Sequence, residues 1–292
     1  MRVGAVGLGV MGGAMAERML AGGLELTGFD PDLDRCEAFR AGGGRVAPSA
    51  AKVAAASEII ILSLPSVSAF EAVAVDPSGL TAEVSKGTLV VDTSTLPIET
   101  KERGREALAK AGAHLLDCPL SGTGDQARTG DLVVLASGDE ELVSRCAPVF
   151  EAFARSHHYV GEFGAGSKMK FVANLLVAIH NVAAAEGMML ARSAGLDLPQ
   201  VLEVIADSAA SSRMWEVRAP KMASSEYEPG IRLSLFEKDL RIISSFAQDC
   251  GSPTPLLAEA ILLYEEAITA GDGELDSSVV FRRYEEDGGS SR

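Results

Sequence analysis

A glycine-rich turn near the N-terminus constrains the fold of this chain more than any other feature. Residues 7–12 read GLGVMG; they follow an apolar segment at residues 2–6 and open an amphipathic segment at residues 11–21. In such a motif the first glycine permits a tight turn, the second lets a ligand approach the backbone, and the third lets the helix pack closely on the strand. The motif therefore predicts the first strand–turn–helix of a parallel α/β sheet.

The same turn predicts a ligand. Free N–H groups at the start of a helix and the positive end of its dipole favour phosphate groups. We expect a dinucleotide pyrophosphate to lie against the residues of the turn: Gly7, Leu8, Gly9, Val10, Met11 and Gly12. Asp30 ends the next predicted strand, where a carboxylate accepts hydrogen bonds from ribose hydroxyls and repels a 2′-phosphate. NAD is thus favoured over NADP, and the nearby cation Arg35 leaves NADP open.

The pattern of apolar residues divides the chain into two parts. Up to about residue 160, short apolar runs alternate with amphipathic segments, which is typical of βαβ units. The predicted strands cover residues 2–6, 24–29, 59–64, 88–91, 114–116 and 132–136. Beyond residue 161 the pattern predicts only helices, at residues 167–194, 198–208, 235–250 and 255–270. The expected fold class is α/β, with a doubly wound, Rossmann-type domain at residues 1–161 followed by an all-α domain at residues 162–292.

Composition excludes several classes of protein. The chain has 26 Lys and Arg against 41 Asp and Glu, a formal net charge of −15, which argues against nucleic-acid binding. With 47% hydrophobic residues, the chain has enough apolar surface to form a full core. The four cysteines and four histidines show no metal-ligand spacing, so no metal site is expected. No uninterrupted apolar stretch reaches membrane length and no signal peptide is evident, so we expect a cytoplasmic protein with no membrane partner.

Two further segments carry polar groups suited to a small anionic substrate. Residues 121–124 read SGTG after a predicted strand, and such small residues expose N–H groups and hydroxyls that suit a carboxylate; an ordinary surface loop is the alternative. Lys170 and Asn174 lie four residues apart, on one face of a predicted helix. A lysine on an apolar helix either extends to water or exchanges a proton with a substrate hydroxyl. Lys168 is the competing cation, on another face of the helix.

Four signatures follow one another along the chain: GLGVMG at residues 7–12, DCPLSG at 117–122, GAGSKMKFVAN at 164–174 and FEKDL at 236–240. With them the sequence resembles the β-hydroxyacid dehydrogenase family over nearly its whole length. The resemblance implies hydride transfer between NAD(P) and a small 3-hydroxy acid such as 3-hydroxyisobutyrate, or the reverse reduction of its semialdehyde. It also implies a homodimer or homotetramer formed through the helical domains.

The resemblance further implies roles for the substrate residues. Lys170 is expected to be the catalytic acid and base, while Ser121, Gly122 and Asn174 hold the substrate carboxylate and hydroxyl. Family members usually have Ser-Gly-Gly where this chain has Ser-Gly-Thr. The added hydroxyl of Thr123 is therefore expected to alter which substrate substituent fits.

Four residues are implied to contact the cofactor. Thr95 falls where the family contacts the nicotinamide end, and Leu64 and Pro65 close the strand beside the cofactor. Lys238 of the FEKDL signature is expected to reach the cofactor or the active site, and its neighbour Asp239 is expected to be structural.

Two other functions remain open at this stage. An imine reductase uses the same fold, but those enzymes usually replace the helix lysine that this chain keeps as Lys170. A non-catalytic nucleotide-binding or scaffold protein also fits the fold. Known non-catalytic relatives lose that lysine and gain basic segments, whereas this chain is acidic. An enzyme acting on a small hydroxy acid is the preferred prediction.

Overall fold

A computed structural model describes residues 1–228, 230 and 232–289. The chain forms two compact units, of which the first comprises Met1–Lys170 and the second begins at Phe171. This division lies nine residues beyond the predicted boundary after residue 161. The reason is that the first turn of the long helix is bonded to the first unit: the Gly166 N–H donates to Ser137 Oγ at 2.9 Å, and the Ser167 N–H to Asp117 Oδ2 at 2.8 Å.

The first unit is built on a six-stranded parallel sheet with the order β3-β2-β1-β4-β5-β6. This is the order typical of dinucleotide-binding folds, with helices on both faces. The strands are β1 (Arg2–Val6), β2 (Glu25–Phe29), β3 (Arg45–Val46), β4 (Ile59–Leu62), β5 (Leu89–Asp92) and β6 (His114–Asp117). The helices are α1 (Val10–Ala21), α2 (Leu33–Ala41), α3 (Ala50–Ala56), α4 (Val67–Phe70), α5 (Ile98–Lys110), α6 (Gly124–Thr129) and α7 (Glu140–Phe153).

A second, three-stranded sheet completes this unit, with β8 (Val133–Ala136) between β7 (Leu120–Ser121) and β9 (Ser156–Tyr159). All six predicted strands are present. The sequence pattern misses β3, β7 and β9. The first two have only two residues each, too few to show a pattern, and β9 contains two histidines instead of an apolar run.

The central strands are buried on both faces, as continuous apolar runs predict. In β4, Ile59 and Ile61 belong to the core on one side of the sheet, and Ile60 and Leu62 to the core on the other. Each of these side chains is at most 5% exposed. Since successive side chains of a strand point to opposite faces, this one segment contributes to both layers of helices.

No β-strand follows Tyr159 in the part of the chain that the structure describes, which confirms the predicted helical C-terminal part. Its helices are α8 (Ala165–Ser193), α9 (Leu198–Ala206), α10 (Arg213–Ser224), α11 (Leu233–Asp249), α12 (Pro255–Ala267) and α13 (Phe281–Gly289). The pattern does not predict α10, which contains Pro220, or the short and polar α13.

Helix α8 has 29 residues and is long and apolar enough to cross a membrane, although asparagines interrupt its apolar run. Core helices of soluble proteins meet the same test. In this structure Asn181 of α8 is fully buried, and its amide donates to the Tyr264 hydroxyl at 2.8 Å and to the Ser277 carbonyl oxygen at 2.9 Å. The absence of a membrane partner stays a prediction.

A buried ion pair organises the second unit. Arg218 Nη1 lies 2.9 Å from Asp276 Oδ1, and both side chains are at most 3% exposed. Asp276 also accepts hydrogen bonds from the Ser278 N–H and hydroxyl at 3.0 and 2.8 Å. Burial alone would raise the pKa of Asp276, but Arg218 and the Ser278 bonds outweigh it and hold that pKa below its ordinary value.

We expect Arg218→Met to lower the free energy of unfolding of the second unit by up to about 3–5 kcal/mol at pH 7, because the buried Asp276 carboxylate loses its guanidinium partner and keeps Lys221, 3.5 Å away, as a charged neighbour. Arg213→Met is the matched control: it removes an exposed pair with Glu216, worth about 0–1 kcal/mol. The measurement is urea unfolding followed by Trp215, the only tryptophan. Equal losses in the two variants would contradict this account.

The lowered pKa of Asp276 also sets a pH window. The contribution of Asp276 to the free energy of unfolding is complete above the unfolded-state pKa of about 3.9. It is lost as the pH falls through the lower folded-state pKa. The stability difference between wild type and Asp276→Asn should therefore shrink between pH 5 and pH 3.

Candidate active site

The glycine turn has the geometry that its sequence predicts. Gly7 has a φ of +89°, and its N–H donates to the Phe29 carbonyl oxygen at 3.0 Å. A Cβ at Gly7 would lie 2.2 Å from the Ser63 carbonyl oxygen, and one at Gly12 would lie 1.9 Å from the Gly7 carbonyl oxygen. Neither position can accept a side chain, so these two glycines serve the tight turn and the close packing of α1.

Gly9 differs from these two glycines. The nearest atom to a Cβ at this position is Arg35 Nη1 at 3.5 Å, so protein packing does not require glycine there. Helix α1 begins directly after Gly9 without a side-chain cap from the described residues. The turn thus leaves open space in front of uncapped helix N–H groups. A phosphate group fits this arrangement, as the sequence predicts for the pyrophosphate of a dinucleotide.

Asp30 lies directly after β2 and is 4% exposed. Its Oδ2 accepts from the Leu8 N–H at 2.8 Å, and its Oδ1 accepts from the Asp32 N–H at 2.9 Å. Arg35 Nη1 lies 3.4 Å from the same carboxylate and Arg35 Nε lies 3.2 Å from Asp32 Oδ2. The predicted ribose acceptor therefore also holds the glycine turn, and Arg35 lies between the acids and that turn.

The residues predicted to line the cofactor lie at the carboxyl ends of neighbouring strands. Leu64 and Pro65 follow β4, and Thr95 follows β5, which pairs with β4 in parallel. The Leu64 N–H donates to Ser94 Oγ at 2.9 Å and so connects the two loops. Ligands bind at this edge in open parallel sheets. The structure thus brings the glycine turn, Asp30 and these loops to one edge.

Ser121 ends β7, and Gly122 follows with a φ of +141°. The Thr123 hydroxyl accepts from the Gln126 N–H, and the Gln126 side chain accepts from the Thr123 N–H. This reciprocal capping starts α6. The Thr123 hydroxyl is therefore engaged within its own loop, and its predicted influence on the substrate stays a prediction.

The two candidate lysines of α8 differ in burial. Lys170 is half-buried, whereas Lys168 is exposed. This difference in burial is in line with the predicted role of Lys170, which stays a prediction.

In the second unit, Asn174 is 6% exposed and its amide donates to Asp239 Oδ2 at 3.3 Å. Lys238 Nζ lies 3.0 Å from Asp239 Oδ1. The carboxylate of Asp239 therefore contacts both predicted site residues of this unit. A structural role was predicted for Asp239 but this link was not, although the position of Asp239 beside Lys238 in FEKDL was a usable signal.

A buried charge cluster in the first unit was not predicted from the sequence. Lys101 of α5 is fully buried, with its Nζ 3.0 Å from Asp92 Oδ2 and 2.7 Å from Asp117 Oδ1. Burial opposes the charged form, but the two carboxylates outweigh it and raise the pKa of Lys101. Burial raises the pKa of Asp92 despite the nearby ammonium. Acidic residues at the ends of two adjacent buried strands were the available signal.

Two family descriptions match this chain. "NAD binding domain of 6-phosphogluconate dehydrogenase" matches residues 2–161, and "NAD-binding of NADP-dependent 3-hydroxyisobutyrate dehydrogenase" matches residues 164–284.

Individual proteins match over nearly the full length. Glyoxylate/succinic semialdehyde reductase 1 of Arabidopsis thaliana is 30% identical over 96% of this chain and 97% of its own. L-threonate dehydrogenase of Cupriavidus necator is 32% identical over 96% of this chain and 95% of its own length. The crystal structure of 3-hydroxyisobutyrate dehydrogenase from Salmonella typhimurium superimposes with a TM-score of 0.86 and 31% sequence identity. The match covers 97% of this chain and 99% of that one.

The fold and the glycine turn define an NAD(P)-binding oxidoreductase. Together with its relatives, they show that the chain belongs to the β-hydroxyacid dehydrogenase family and is an NAD(P)-dependent enzyme acting on hydroxy acids.

We expect Gly9→Ala to weaken NADH binding by at least about tenfold, or roughly 1.4 kcal/mol, because the methyl group enters the space in front of the helix N–H groups. The fold should tolerate the change, since the nearest protein atom is 3.5 Å away. Gly22→Ala at the other end of α1 is the matched control, with its nearest atoms also at 3.5 Å. Titration of NADH fluorescence measures both; unchanged affinity in Gly9→Ala would argue against binding at this turn.

Proposed function

We propose that this enzyme oxidises a small 3-hydroxy acid of the 3-hydroxyisobutyrate type, or reduces the corresponding semialdehyde, with Lys170 as general acid and base. The observation that carries the proposal is the burial of two polar residues one turn apart on α8: Lys170 is half-buried and Asn174 is buried. Relatives named for threonate, glyoxylate, succinic semialdehyde and 3-hydroxyisobutyrate support the broader class, a small hydroxy acid or the corresponding carbonyl compound. All of these compounds carry a carboxylate and a second oxygen function.

The proposed roles of the residues follow from their chemistry. A bound NAD(P)⁺ would supply the acceptor for the hydride that leaves the hydroxyl-bearing carbon. The neutral amine of Lys170 accepts the hydroxyl proton during oxidation, and its ammonium returns a proton during reduction. The small residues Ser121 and Gly122 offer a hydroxyl and backbone N–H groups for the carboxylate. Asn174, held by Asp239, offers its amide to the substrate oxygen.

This scheme fixes the direction of the pH dependence. Oxidation requires the neutral amine, so its rate should increase as the pH rises. Reduction requires the ammonium, so its rate should decrease over the same range.

We also propose a preference for NAD over NADP. The support is the buried carboxylate of Asp30 beside the turn, which disfavours a further phosphate on the ribose. Arg35 opposes this preference, because its guanidinium is half-exposed beside the turn and is available to a phosphate.

The test is a panel of 3-hydroxyisobutyrate, L-threonate, glyoxylate and succinic semialdehyde with both cofactors, followed by nicotinamide absorbance. Lys170→Ala should lower kcat by at least about a hundredfold, as expected for loss of an acid–base group. Lys168→Ala, two residues earlier and exposed, is the matched control and should stay within about twofold. Equal effects of the two changes would contradict the role of Lys170, and a higher kcat/KM with NADP⁺ would contradict the preference for NAD.

A homodimer or homotetramer is the proposed assembly. The support is a set of exposed apolar side chains in the second unit: Val172, Leu176, Leu190, Leu196 and Val204 are between 46% and 71% exposed in the single chain. Such side chains favour burial between copies of a chain.

Light scattering should give two or four times the mass of 30.4 kDa. Leu190→Glu should lower that mass, whereas Leu33→Glu, at a 77% exposed position of the first unit, should not. A wild-type protein with the mass of a single chain would overturn the proposal.

A further inference from the structure

We propose that Lys101 is a positioning residue: it joins Asp92 and Asp117 into one buried network that fixes the start of helix α8, and so Lys170, relative to the loop after β5. The inference rests on the proposed role of Lys170. It adds a residue that touches neither substrate nor cofactor but acts through the elements that do. All the contacts that carry it lie within the first unit.

The network begins at the ammonium group of Lys101. Its Nζ donates to the Ser94 carbonyl oxygen at 2.7 Å and to Asp117 Oδ1 at 2.7 Å, and it lies 3.0 Å from Asp92 Oδ2. Two of the three ammonium donors thus form hydrogen bonds, and the third contact is an ion pair with Asp92. The partners come from the ends of two adjacent strands, β5 and β6, and from the loop between β5 and α5. One side chain therefore fixes three backbone segments.

One branch of the network runs to the catalytic helix. Asp117 Oδ2 accepts from the Ser167 N–H at 2.8 Å, and Asp117 Oδ1 accepts from the Ser167 hydroxyl at 2.9 Å. Ser137 Oγ accepts from the Gly166 N–H at 2.9 Å and donates to the Asp117 carbonyl oxygen at 2.8 Å. Helix α8 thus takes the partners of its first N–H groups from strand β6 and from Ser137, a role that a local capping residue usually fills.

The helix start also lies very close to the strands. A Cβ at Gly166 would lie 2.5 Å from the Leu135 carbonyl oxygen and 2.6 Å from the Asp117 carbonyl oxygen. Lys170 is three residues after Ser167, one turn along the same helix. A shift of this turn would therefore move the Lys170 amine, and a displacement of about 1 Å at a reacting group costs on the order of a hundredfold in rate.

The other branch runs to the loops at the carboxyl edge of the sheet. The Ser94 N–H donates to Asp92 Oδ1 at 3.2 Å, and Ser94 Oγ accepts from the Leu64 N–H at 2.9 Å. Thr95, predicted to contact the nicotinamide end of the cofactor, directly follows Ser94. The same buried charges thus hold the loops proposed for the cofactor and the helix proposed for proton transfer.

The decisive variant is Ser167→Ala, which removes one hydroxyl and leaves the three charges in place. We expect kcat to fall by about tenfold, with the KM for substrate and the Kd for NADH within about twofold of wild type. Amide hydrogen exchange should increase at residues 166–170 and stay unchanged elsewhere. Ser144→Ala is the matched control: Ser144 is also a helix residue whose hydroxyl donates a hydrogen bond, but it is exposed and its acceptor, the Glu140 carbonyl oxygen at 2.9 Å, lies in the same helix.

Lys101→Met tests the centre of the network and should lower kcat further, with faster exchange at both residues 92–95 and 166–170. If this variant does not fold, Ser167→Ala decides the matter by itself. A Ser167→Ala enzyme with wild-type kcat and wild-type exchange would overturn the positioning role. If Lys170→Ala keeps full activity, the proposed function fails instead, and the exchange at residues 166–170 then still shows whether the network fixes the start of the helix.

Discussion

The first unit depends on the close approach of β1, α1 and the end of β4 around the glycine turn. There is no room for a Cβ at Gly7 or Gly12, because backbone oxygens lie 2.2 and 1.9 Å from where those atoms would be. This contact places the start of α1 directly at the carboxyl edge of the sheet. Asp30 then bonds the Leu8 N–H and holds the turn in that place. This steric arrangement leaves the start of α1 at the sheet edge, where a helix N-terminus favours phosphate groups.

Charge is buried in this protein where backbone segments have to be held together. In the first unit Lys101 lies between two carboxylates at the ends of adjacent strands. In the second unit Arg218 pairs with Asp276, which also bonds the Ser278 backbone. A buried pair contributes little net stability compared with apolar packing, but it fixes geometry because an unpaired partner is costly. Both clusters therefore favour a single arrangement of the segments that they join.

Features that depend on neighbouring residues could be predicted from the sequence, whereas pairings between distant residues could not. Six strands were predicted because short apolar runs alternate with amphipathic segments, and the glycine turn because its spacing has one steric explanation. Lys101 was missed because its partners, Asp92 and Asp117, lie 9 and 16 residues away along the chain. The link between Asp239 and Asn174 was not predicted, because the two residues lie 65 positions apart along the chain. No periodicity in the sequence reports such pairings.

The sequence by itself determined the class of fold, the dinucleotide-binding turn, the acid after β2 and the family, since each depends on residues close together or on motifs in a fixed order. Only the tertiary structure decided that Lys170 is half-buried whereas Lys168 is exposed, that the Thr123 hydroxyl caps its own helix, and that Asp117 bonds the start of α8. The physical reason is that burial and hydrogen bonding depend on which distant segments of the chain come into contact. Those contacts are set by the order of the strands in the sheet.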